Sequence, residues 1–134
     1  MDKIIEEGQK QIKRCLQSGI DKEIHDYAER LGKYFRTASK IEHSPGSRIR
    51  LPLDHLRRLS QGMIPEADFN SELDLLKAEF IYAASQTETE EKGFQEFVSL
   101  INFGLDELLS EHKSFQGVRN LTWFLEAVLA YHYA

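Results

Sequence analysis

The chain has 134 residues, of which 41% are hydrophobic and 29% charged, with a formal net charge of -5. That length suits one domain able to bury about two-thirds of its unfolded surface, and no apolar run approaches the roughly 18 residues of a membrane span. The charged start MDKIIEEGQKQIKRC has no apolar leader core, so the cytoplasm is the expected compartment. A single cysteine, Cys15, excludes an internal disulfide and has no CxxC partner for zinc or redox work, so a buried thiol is expected.

In chain order, residues 3 to 17 place Ile4, Ile5, Ile12 and Leu16 among charges, a faint amphipathic pattern read as a helix or a loosely packed arm covering residues 1–20. Residues 21 to 40 are clearer. Ile24, Tyr27, Ala28, Leu31, Tyr34, Phe35 and Ala38 share one stripe, and Asp21 is placed to cap its start. Lys33, Arg36 and Lys40 project from the opposite side at about 100° per residue. The segment EHSPGSRIRL, residues 42 to 51, reads as a basic loop. Pro52 opens a short helix with Leu53, Leu56 and Leu59 inward and Arg57 and Arg58 outward or at the edge, ending at Gly62. A long helix follows from Glu66 to Ser85, with Phe69, Leu73, Leu76 and Phe80 at helical spacing. QTETEEKG breaks the pattern before a helix over 92 to 111, with Phe94, Phe97, Val98, Ile101, Leu105 and Leu108 on its stripe. Ser114 to Gly117 reads as a connection, and 118 to 132 as the last helix. No segment alternates at period two. The expected architecture is all-α: a compact bundle of five or six helices forming one domain over residues 1–134.

Charge is distributed unevenly. Residues 30 to 58 hold Arg30, Lys33, Arg36, Lys40, Arg48, Arg50, Arg57 and Arg58 against Glu42 and Asp54, a net of +6, whereas residues 59 to 134 carry -9. A basic block in an acidic remainder reads either as a solvated helix face with a charged loop or as a surface for phosphates. Aromatics are not regularly interleaved with it, so a base-stacking platform is not implied. In the last helix Leu121, Leu125, Val128 and Leu129 gather on one stripe, widened by Phe124 and Tyr131, with His132 inside it as a core histidine. Trp123 falls off that stripe beside Arg119, which leaves it either covered by a neighbouring element or offered to a partner as a candidate subunit contact.

Catalytic signatures are missing from the sequence. The five histidines form no HxxxH or HExxH, and there is no Walker loop, GxGxxG or GxSxG. No catalytic residue, metal site or cofactor is expected.

Three blocks in order resemble a known family: LDHLRRLSQ at 53–61, LLKAEFIYAAS at 75–85 and WFLEAVLAYH at 123–132, with YAERLGKYF at 27–35 as a weaker fourth. Together they are similar to the small subunit of type III CRISPR effector complexes, the small helical Csm subunit of type III-A and its type III-D relatives. The resemblance implies a non-catalytic antiviral-defence subunit that stacks with neighbouring copies of itself beside crRNA and target RNA, in contact with other effector subunits and no membrane. By position it carries RNA contact to Arg57 and Arg58, and to Lys77; the charge pattern adds Lys33, Arg36, Arg48, Arg50 and Arg119. Glu79 and Ser85-Gln86 stand where family members often carry basic residues, and Pro52-Leu53 replaces a Thr/Ser-type helix start. The alternative reading is a helical protein-protein adaptor or regulator without an RNA role; a small nuclease is a third.

Overall fold

The computed structural model describes residues 3–38, 50–85, 92–110 and 115–133. Within them lie six α-helices and no strand: α1 (Lys3–Ser18), α2 (Lys22–Ala38), α3 (Arg50–Ser60), α4 (Phe69–Ser85), α5 (Lys92–Ser110) and α6 (Phe115–Tyr133), with a 3-10 turn, Glu66–Asp68, leading into α4. The all-α bundle expected from the apolar periodicity is the architecture found. The last helix begins earlier than its stripe suggests, because Gly117 lies buried inside its first turn. Lys40, Arg48, His43, His112 and positions 42–49 of the basic loop lie outside the described residues.

Helix ends follow local chemistry. Gly19 adopts φ +81 and its N–H donates to the Cys15 carbonyl at 2.8 Å, the left-handed cap that a residue with a Cβ adopts only at a steric cost. Two residues on, Asp21 Oδ1 accepts from the Ile24 N–H at 2.8 Å, which satisfies one of the donors left over at the start of α2. Gly62, at φ +71, ends the turn after α3.

Helix α6 is the hub. It packs on α2 along its broadest contact and also on α1, α3 and α5, while α5 is flanked by α1 and α4. The core draws Ile12, Leu16, Leu31, Phe35, Leu56, Phe80, Phe97, Leu105 and Leu125 from all six helices. The Tyr27 and Phe124 rings stack at 6.1 Å and Phe35 meets Phe97 at 5.1 Å. Burial raises the Tyr27 phenol far above its ordinary pKa, and its hydroxyl donates to the Ile4 carbonyl at 2.7 Å. Helix α1 is fully engaged rather than loose, burying Ile5, Gly8, Gln11, Ile12, Cys15 and Leu16.

Between α2 and α6 the backbones approach closely. A Cβ on Gly32 would stand 2.5 Å from the Val128 carbonyl oxygen and 2.8 Å from Tyr131 Cβ, so only glycine fits that crossing. Helix α3 is held to α4 by His55, whose Nδ1 meets Glu79 Oε1 at 2.5 Å and whose Nε2 meets Glu72. Glu79, which departs from the basic residue the resemblance implies at this position, is thus a partner of a buried histidine.

Candidate nucleic-acid interface

Helix α3 spans three turns and turns Leu53, Leu56 and Leu59 inward. The remaining arc is left to Arg50, Leu51 and Arg58, all exposed. Among the described residues no ion pair engages Arg50 or Arg58. Arg57 sits at the rim. Its Nε donates to Glu126 Oε1 at 2.6 Å and its Nη1 to Asp54 Oδ1 at 3.1 Å. The bond to Glu126, more than that to Asp54, raises the guanidinium pKa still further.

Helix α6 supplies the other wall. Arg119 Nε donates to the Ser60 carbonyl at 3.0 Å, placing a cation on a carbonyl that the end of α3 leaves without a helical partner. Arg119 and Glu126 are seven residues apart, two turns of one stripe, and both reach α3 within residues 57–60. Trp123 lies between them on that stripe, with 52% of its surface exposed. The fold therefore brings Arg57, Arg119 and Trp123 onto one α3/α6 rim, with Arg58 exposed on the outer side of α3.

The other candidates stand apart from it. Lys33 and Arg36 are exposed on α2, whose Gly32 packs on Val128 and Tyr131, a different stripe of α6. Lys33 pairs with Glu29 at 2.7 Å, and this bond lowers the Glu29 pKa. Arg30 pairs with Glu7 at 2.8 Å. Burial, and secondarily the charge of Arg36, pushes the half-buried His132 below the ordinary histidine range. Lys77 is paired with Asp106 across α4 and α5, and Arg48 lies outside the described residues. The basic block is thus divided between internal ion pairs and exposed arginines. The Asp54-Arg57 pair is readable as an i,i+3 spacing; Glu126 and the Ser60 carbonyl are tertiary partners with no local signal.

Among the described residues there is no group of three or more His, Cys, Asp or Glu able to hold a metal ion, and no helix is long and apolar enough to cross a membrane. What the fold presents is a small all-α bundle with an arginine-bearing surface made by two helices. The family model for Csm2 Type III-A matches residues 20–134, from the turn before α2 through α6. The chain belongs to that family: it is a small subunit of a type III CRISPR effector complex, built together with other subunits. No curated protein and no solved structure matches it.

Proposed function

We propose that this subunit is a non-catalytic scaffold that contacts crRNA and target RNA through phosphates, using the α3/α6 surface, and that neighbouring copies of it lie side by side in the complex. What supports the reading is the position of Arg50 and Arg58. They are exposed on α3, inside the family match, and their guanidinium groups are available to forked contact with phosphate oxygens. Arg57 and Arg119 contribute from internally tethered positions. Lys33 and Arg36 form a second, separate basic strip, and Lys77 contributes least because Asp106 already neutralises it.

The test replaces Arg50 and Arg58 together by Glu in the assembled complex, leaving the Arg57–Glu126 and Arg119–Ser60 contacts in place. RNA affinity should fall and the slope of log K against log salt should become shallower by about one to two, as two phosphate contacts are lost. Unchanged affinity with an unchanged slope overturns the reading. RNA cleavage by the purified subunit would overturn the non-catalytic part.

A further inference from the structure

We propose that Trp123 is a stacking platform for an unpaired RNA base, with Arg119 one turn away for an adjoining phosphate. This rests on the RNA-contacting reading of the α3/α6 surface and names a chemical element that phosphate contact alone lacks.

The first support is position. Trp123 is the only tryptophan of the chain, and it stands half-exposed on the arginine-bearing surface rather than in the core. Its place is well defined: one turn before it, Arg119 is tied to the Ser60 carbonyl at 3.0 Å; one turn after it, Glu126 is held by Arg57 at 2.6 Å. Helix α6 cannot turn about its axis without losing both contacts, so the indole is presented at a fixed azimuth. Since the Arg119 bond uses Nε, four of its five N–H donors are not engaged by that bond. Glu126 is the one carboxylate on the stripe near the indole, and the Arg57 pairing neutralises it toward an approaching phosphate.

The second support is what surrounds the ring. A helix or sheet from another protein would bury a contiguous apolar patch, with charge depleted at its centre. Along the stripe, the neighbours of Trp123 are Gln116, Arg119, Glu126 and Ala130, none of them large and apolar. Of the other large exposed apolar residues, Leu75, Ile81 and Tyr82 lie on α4, and Leu51 and Met63 lie at the start of α3 and just past its end, none of them on the stripe of α6 that carries Trp123. An isolated aromatic face among guanidinium groups is the combination that holds single-stranded nucleic acid, because every base has a π-face and each phosphate a charge.

The test uses the reconstituted complex carrying Trp123→Ala or Trp123→Phe, and the full-length subunit alone for fluorescence. With labelled single-stranded RNA followed by anisotropy, Trp123→Ala should lower affinity about tenfold, the range of one base stacked on an aromatic ring. Trp123→Phe should retain most of the affinity, and a fully paired duplex of the same sequence should bind both variants alike. In the subunit alone, the single tryptophan should be quenched by the single strand and not by the duplex. If Arg50→Glu with Arg58→Glu weakens RNA binding while Trp123→Ala does not, stacking is overturned and phosphate contact stands. Loss of effect in both variants overturns both readings. Reduced incorporation of the Trp123→Ala subunit, with normal RNA affinity per assembled complex, would make Trp123 a protein contact and also overturn the inference.

Discussion

Helix α6 meets α2 and α3 by opposite means. Toward α2 the contact is chiefly one of shape: Gly32 lets the backbones touch, and Tyr27 stacks on Phe124 in the buried interior. Toward α3 the rim is polar, with Arg57 on Glu126 and Arg119 on the end of the neighbouring helix. At Gly32 the first seam tolerates no added volume. The second sits on the surface, and the polar side chains that tie the rim of α3 to α6 are the ones that flank Trp123. A small subunit in a larger assembly can in this way separate what makes it fold from what it displays.

Substitutions on the two sides should differ in size and in kind. The largest effect is expected at the tight seam. Gly32→Ala should destabilise by about 1–3 kcal/mol in urea unfolding, through overpacking against the Val128 carbonyl, although the same change in an open helix interior stabilises by about 1 kcal/mol; a stabilised variant would show that the helices can move apart. On the polar seam, Glu126→Gln should cost no more than about 1 kcal/mol, since the pair is partly exposed and screened, and the loss should shrink as salt is added. A cost like that of the tight seam would erase the contrast. The smallest expected effect is acid sensitivity at His132. Its pKa is lowered in the fold, chiefly by burial, so its contribution is complete above the unfolded value of about 6.5 and is lost as pH falls below it. Thermal melts should show a gentle decline over that window which His132→Gln flattens. The lowered carboxylates Glu7 and Glu29 act separately, below about pH 4.5, where protonation removes their bonds to Arg30 and Lys33.

Most of the fold was legible because buried positions recur at helical period and the breaks carry their own chemistry, as Asp21 and Gly62 do. Helix α1 looked faint for a specific reason. Two of its buried positions are Gly8, which faces the Tyr27 hydroxyl and Leu100, and Gln11, whose amide is bonded to Glu7, Glu23 and Arg14. Neither registers as hydrophobic, yet both are core. At the surface, the outward direction of Arg58 and the edge position of Arg57 followed from the leucines behind them. The quenching of Arg57 by Glu126, 69 residues away, did not, because an ion pair between distant helices leaves no periodic trace. Arg119 carried no motif either; its role at the end of α3 depends on where α6 crosses. The run of cations in the sequence is therefore a weaker guide to available charge than its net value suggests.

Cys15 has a consequence of its own. Its thiol is buried, donates to the Asn120 carbonyl at 3.4 Å, and is pushed up to about 12, chiefly by desolvation. At neutral pH almost none of it is the nucleophilic thiolate, so alkylating reagents reach it only when α1 separates from α6. The native chain thereby carries a built-in clock for opening of the bundle. It also leaves the surface silent to thiol reagents, so a cysteine placed on α3 or α6 would carry a probe or a crosslinker alone.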